Sequence, residues 1–138
     1  MQIRKAETKD FNGFVRLRNI CFNYYNTADR AYFNSFKEQI DRVVIAEDNH
    51  QVVGIVRWKV SYGCTDKAVI LSLGVSPSYR GKGIATKLIE AIMTLIPSYL
   101  TITMTDDSPH GETTKIGLKF GFVQNIYGDL VYEQKVNR

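Results

Sequence analysis

The spacing of apolar residues along this chain switches repeatedly between the two-residue repeat of strands and the three-to-four-residue repeat of helices. A weak first strand covers Gln2 to Ala6, and Asp10 then stands where it can cap a helix whose apolar face carries Phe11, Phe14, Val15, Leu17 and Cys21. A second helix carries Phe33, Phe36 and Ile40. Val43 to Ala46 and Val52 to Ser61 flank the polar Glu47, Asp48, Asn49 and His50, the pattern of an antiparallel hairpin; in its second arm Val56, Trp58 and Val60 alternate with Arg57, Lys59 and Ser61. Ala68 to Val75 is almost continuously apolar and too short for a typical helix, so it reads as a central strand covered on both faces. From Gly83 the period becomes helical, with Ile84, Ala85, Leu88, Ile89, Ile92, Met93 and Ile96 inward and Pro97 as the stop. Leu100, Ile102 and Met104 alternate with threonines in a fifth strand, which makes strand, helix, strand in the order of a right-handed parallel crossover. Pro109 and Gly111 mark a loop, a short helix runs from Glu112 to Phe120 and ends at Gly121, and two strands, Phe122 to Ile126 and Leu130 to Val136, flank a turn at Gly128 and Asp129. The class is α/β with a mixed sheet.

Composition narrows this picture. The 138 residues are 44% hydrophobic and 23% charged, close to globular averages, and they show no repeat, charge block or Gly/Ser/Pro-rich linker. We therefore expect one domain over residues 1–138. Lys and Arg number 18 against 14 Asp and Glu, a net charge of +4, which favours anionic ligands. The basic residues are dispersed and lack an aromatic-basic strand signature, which argues against nucleic acid as the partner. Cys21 and Cys64 make no disulfide framework and no metal-ligand spacing, so both are expected as reduced thiols with no metal. The first ten residues lack the apolar run of a signal peptide, and no segment reads as a membrane span, so a cytoplasmic location is the default expectation.

Chemistry concentrates in residues 73 to 88, LGVSPSYRGKGIATKL, where a buried strand ends and a glycine-punctuated loop opens an amphipathic helix. The first N–H groups of a helix lack intrahelical partners and lie at the positive end of its dipole, so Gly81, Lys82, Gly83, Ile84 and Ala85 can aim donors at phosphate oxygens. Arg80 and Lys82 add two positive charges, which suits a diphosphate. Two familiar phosphate loops do not fit: Ser76 stands where a Walker A loop needs its first glycine, and Thr86 stands where the dinucleotide fingerprint needs its third.

With Arg80, Gly81, Lys82, Gly83, Ile84 and Ala85 in that order, the chain resembles the GNAT superfamily of N-acetyltransferases, whose pyrophosphate loop reads Gln/Arg-x-x-Gly-x-Gly/Ala. The resemblance extends to Val75, Ser76 and Pro77, to the Gly121 and Phe122 pair, and to the element order of nearly the whole chain. It implies a single-domain GNAT-like fold: a mixed, mostly antiparallel twisted sheet with two central parallel strands splayed apart, flanked by helices. It also implies that the loop holds the diphosphate of acetyl-CoA, that backbone groups of Leu73 and Val75 pair with the pantetheine amides, and that His110, where relatives often have asparagine, touches the cofactor.

An amine that attacks a thioester must be aligned, deprotonated and supplied with a donor for the developing oxyanion, for which a backbone N–H near Val75 is a candidate. A lysine-type amine has a pKa near about 10.4 and a cysteine-like thiolate near about 8.5, so a base matters more than an acid. The tyrosine acid of many relatives falls on Gly117, and their frequent glutamate base falls on Leu71. Substitute catalytic candidates are Asp106, with helix or turn capping as its alternative, and Tyr127 or Tyr132 as proton donors to the thiolate. Tyr24 and Tyr25, beside Asn23 and Asn26 in an aromatic cluster between the first two helices, are the candidates for contacting the acceptor. The function expected is acetyl transfer from acetyl-CoA to a primary amine of a small molecule or protein by direct attack, as a transferase of the N-acetyltransferase (acyltransferase) type. The alternative is a non-catalytic acyl-CoA-binding sensor or interaction module. Relatives are commonly dimeric, which allows a homodimer, and nothing in the residues specifies its interface.

Overall fold

The computed structural model describes residues 1–63, 65–108 and 110–134. In chain order they form β1 (Gln2–Lys5), α1 (Phe11–Phe22), α2 (Arg30–Glu38), β2 (Val43–Asp48), β3 (Gln51–Ser61), β4 (Lys67–Val75), α3 (Ile84–Leu95), β5 (Thr101–Met104), α4 (Glu112–Lys119), β6 (Val123–Gln124) and β7 (Leu130–Tyr132). Among the described residues the sheet has seven strands in the order β1-β2-β3-β4-β5-β7-β6. One pair, β4 with β5, is parallel; β1 with β2, β2 with β3, β5 with β7 and β6 with β7 are antiparallel. This is the expected α/β class, a mixed and mostly antiparallel sheet with flanking helices. No described helix is long and apolar enough to cross a membrane.

The chain resolves into two compact units, one of Met1–Arg57 with Ser72–Leu95, the other of Trp58–Leu71 with the chain from Ile96 onward. In the first, Phe11, Phe14, Val15 and Leu17 of α1 and Phe36 of α2 pack with Val43, Ile45 and Ile55. Ile84, Leu88, Ile89 and Ile92 of α3 are buried, and α3 lies against β1 and β2. Two helical layers explain why Val43 to Ala46 reads as an unbroken apolar run: both parities of β2 are covered, and all four residues are buried. Asn49 and His50, at φ 50° and 62°, make the two left-handed positions of a tight hairpin turn between β2 and β3.

Asp10 does not act as expected. Its side chain makes no capping bond to α1; instead it accepts the Glu7 N–H at 2.7 Å and a bidentate pair from Arg4 at 2.8 and 2.9 Å. Arg4 also binds Glu47, so β1, the turn after it and β2 are joined by one charge cluster. Burial pushes the Asp10 carboxyl up, but the Arg4 and Glu7 donors outweigh it and hold it below the usual range. Ile40 lies in a short 3-10 turn, Ile40–Arg42, after α2 has ended at Glu38, yet still packs on the core.

In the second unit the parallel pair runs from Lys67 opposite Thr101 to Ile70 opposite Met104. There β5 ends, while β4 continues to Val75. The last two strands are shorter than the apolar pattern suggested. β6 is Val123–Gln124 rather than 122 to 126, because the Asn125 side chain accepts the N–H groups of Tyr127 and Asp129 and turns the chain. β7 is Leu130–Tyr132 rather than 130 to 136: Glu133 and Gln134 have already left the strand, with the Gln134 side chain donating to Pro97 O and Leu100 O at 2.8 Å each, and positions 135 and 136 lie outside the described residues, as do Cys64 and Pro109.

Candidate functional site

The loop between β4 and α3 is fixed at its base and open at its tip. Ser76 N–H donates to Val53 O at 2.8 Å, and Pro77–Tyr79 form a 3-10 turn. The Tyr79 hydroxyl donates to Asp48 Oδ2 at 2.7 Å, tying the loop to the β2–β3 hairpin; that bond to a carboxylate raises the tyrosine pKa. Lys82 Nζ lies 5.2 Å from the centre of the Tyr79 ring, a cation–π contact that draws the ammonium toward the loop's base. Gly81 and Gly83 adopt φ of 77° and 79°, the left-handed region that side chains avoid, and nothing lies within 4 Å of where a Cβ would stand on either. The first backbone bond of α3 runs from Lys87 N–H to Gly83 O at 3.2 Å. The N–H groups of Ile84, Ala85 and Thr86 precede that bond at the positive end of a twelve-residue helix. A twisted, open, glycine-lined rim over such donors is what a diphosphate requires, so the residues present fit the expected cofactor.

Arg80 is placed differently from a free phosphate ligand. Its Nε donates to Val75 O at 3.0 Å, and the Cys21 thiol donates to the same carbonyl at 3.5 Å. Two donors thus already occupy the Val75 carbonyl oxygen. Burial pushes the Cys21 thiol pKa up, opposed by Arg80 and the Val75 contact. Three residues earlier, Ser72 sits in β4 at φ 58°, and its hydroxyl accepts Arg57 Nε at 3.0 Å. Leu73 is half-buried beside it. Of the acceptor candidates, Tyr24 packs on Phe22 and lies under the Arg18 guanidinium at 5.3 Å, whereas Tyr25 is 90% exposed and far from any packing role.

The remaining candidates belong to the second unit. Asp106 Oδ1 accepts Ser108 N–H at 2.8 Å and the Ser108 hydroxyl, while Oδ2 accepts Thr114 N–H at 2.9 Å and the Thr114 hydroxyl at 2.6 Å. Burial alone would raise its pKa, but these four donors together hold it below the usual carboxylate range. Tyr132, half-buried on β7 opposite Ile102, packs on Phe122 at 5.3 Å. Tyr127 lies in the turn between β6 and β7 and is 82% exposed, so it is no sheet residue. His110 is exposed just before Gly111, the N-cap of α4, and its N–H donates to Glu112. Gly117 is buried, and a Cβ there would stand 2.8 Å from Met104 Cε and 3.1 Å from Leu130 Cδ1, so a side chain at this position requires those neighbours to shift.

The sequence reading missed Tyr79, Asp48, Ser72, Arg57 and Arg18. Arg57 had a legible signal: it shares strand parity with Ile55, a core residue.

The family model for the acetyltransferase (GNAT) family matches residues 5–108. An uncharacterised N-acetyltransferase of Archaeoglobus fulgidus is 32% identical over 102 residues, which cover 65% of this chain and 69% of that one. A protein of Pyrococcus horikoshii assigned as an acetyltransferase superposes with a TM-score of 0.69 at 22% identity, over 90% of this chain and 43% of that one, so the chain spans less than half of that protein. A structure of the NatC complex bound to Gag peptide and CoA matches with a TM-score of 0.78 at 17% identity, over 98% of this chain and 100% of that one. At these identities the structural matches carry the fold.

Proposed function

Because the chain belongs to the GNAT acetyltransferase family, and with it to the acetyl-CoA-dependent N-acetyltransferases, we propose that it acetylates the primary amine of a small molecule or exposed protein amine by direct attack. The observation that carries this is the rim of Gly81 and Gly83 over the first turn of α3, open where side chains would stand. When bound, acetyl-CoA supplies the acyl group and a thiolate as the leaving group. Ile84, Ala85 and the glycine N–H groups hold the diphosphate, with Lys82 adding charge. Leu73 and the Val75 N–H pair with the pantetheine arm, and Arg80 braces the strand end from which they project. His110 is assigned to the cofactor on the resemblance to the family alone.

Direct transfer is favoured over a covalent enzyme intermediate because Cys21 is held to Val75 O with its thiol pKa pushed up by burial, the opposite of an activated nucleophile. Asp106, ringed by four donors, is assigned to fixing the entry to α4 rather than to proton abstraction. The acceptor then reacts from its free-amine fraction in solution. Tyr132, half-buried with its ring fixed on Phe122, is the better proton donor to the thiolate than the exposed Tyr127. Tyr24 borders the acceptor.

The test is a thiol-release assay over an amine panel with acetyl-CoA titrated by calorimetry in parallel. Acceptor-dependent CoA release is expected. Binding of acetyl-CoA without release from any amine would leave a non-catalytic CoA-binding module in its place.

A further inference from the structure

Within the first unit, a cavity of about 390 Å³ is lined by residues of α1, α2 and the strands below them, among them Arg18, Tyr32, Gln39 and Arg57. Two guanidiniums in one small cavity repel each other, and proteins normally offset this with carboxylates. Here, among the described residues, neither arginine takes part in an ion pair. Asp29 is the one carboxylate in the lining, and its Oδ1 is occupied by the Tyr32 N–H at the start of α2.

The neutral partners hold the two arginines without discharging them. Arg57 donates Nε to Ser72 Oγ at 3.0 Å and Nη1 to Gln39 Oε1 at 3.1 Å. Arg18 donates Nη1 to the Tyr32 hydroxyl at 2.6 Å, and its Nε is buried without a protein acceptor. Burial and the neighbouring Arg18 charge both work against the charged form of Arg57, which leaves an excess of positive potential in a partly dehydrated space. Fixed, forked donors of that kind match the geometry of a carboxylate or phosphate. The cavity is also tied to the functional loop through the chain: Arg57 grips Ser72, three residues before Val75, and Arg18 stacks on Tyr24, the acceptor candidate.

We propose that the Arg18–Arg57 cavity seats an oxyanion group, a carboxylate or a phosphate, carried by the amine acceptor. This rests on the transferase reading above and narrows it: the acceptor is an amine with a negative group elsewhere on the molecule, and neutral or purely cationic amines are poor acceptors.

The experiment compares matched acceptors, glycine against glycinamide and phosphoethanolamine against ethanolamine, with rates corrected for free-amine fraction. The expected result is a preference of at least about tenfold in kcat/KM for the anionic member of one pair, about 1.4 kcal/mol, and the pair that shows it distinguishes carboxylate from phosphate. Arg18→Gln and Arg57→Gln should each erase most of that preference through KM while acetyl-CoA binding by calorimetry is retained, and Arg57→Lys should keep part of it. Equal use of both members by the native protein, or a preference that survives both Gln variants, overturns the proposal and leaves the transferase reading standing. If no amine in either pair is acetylated, the acceptor assignment falls, and calorimetry with inorganic phosphate and acetate decides the cavity itself. Binding at millimolar concentrations that disappears in both Gln variants keeps the anion site, and no binding removes it.

Discussion

Four donors converge on the Asp106 carboxylate, and this coordination supports capping over proton abstraction, the two roles that its position in the sequence left open. A general base contributes about 10²- to 10⁴-fold to rate, so Asp106→Asn would lower kcat by that much if Asp106 took the proton. We expect instead a stability loss of about 1–2 kcal/mol in urea titration, as for a lost cap, with kcat changed by less than about threefold. For the same reason log kcat/KM for an alkylamine should rise with unit slope toward the amine's own pKa near about 10, with no earlier plateau. A plateau near neutrality would reveal a side-chain base. Cys21→Ser should retain activity and form no acyl-enzyme by mass spectrometry, since the thiol is bonded to Val75 O and burial raises its pKa. None of these distinctions was available from the sequence. A carboxylate before a loop looks the same whether it takes protons or caps backbone, and only the positions of Ser108 and Thr114 separate the two.

At the scale of elements, the loop before α3 was legible because its motif is local: a strand end, a proline, two glycines and a helical period occur within sixteen residues. Its anchor was not, because Tyr79 and Asp48 are brought together across 31 positions of chain. Gly81→Ala and Gly83→Ala should each cost about 1 kcal/mol of stability from the left-handed backbone. Each should also weaken acetyl-CoA binding by at least about tenfold in calorimetry. Equal loss of binding by Lys87→Ala, on the outer face of the same helix, would argue against a site at its entry. The central strands and α3 were readable from their periods, since burial on one or both faces imposes them. β6 and β7 were over-read because apolar residues alone do not extend a strand: Val123 and Ile126 are 69% and 91% exposed, and the Asn125 side chain stops the ladder between them. The first two helices were found from their apolar faces, while Arg18 and Arg57, which line the cavity on that same side, belong to no local motif and carried no signal as a pair.

For the molecule as a whole, the charge cluster of Arg4, Asp10 and Glu47 links its first strand to the hairpin and sets its behaviour in acid. Asp10 has its folded pKa depressed, so the stability it confers is fully present above its unfolded value, near about 3.9, and is lost as pH falls through the lower folded value. Asp106 adds to this loss with the same sign. Arg4→Met would leave a buried carboxylate without its partner, costing about 3 kcal/mol at pH 7 and moving the acid-unfolding midpoint to higher pH, both measurable by circular dichroism. An unchanged midpoint would mean that the cluster is not what acid dissolves. Gly117 bears on the whole molecule in another way. With Met104 Cε and Leu130 Cδ1 pressed against it, any side chain placed there obliges the methionine tip and the leucine to move. Grafting the missing tyrosine onto this scaffold is therefore a repacking problem before it is a chemical one, and its phenol would arrive together with a rearranged interior between the fourth helix and the strands beneath it.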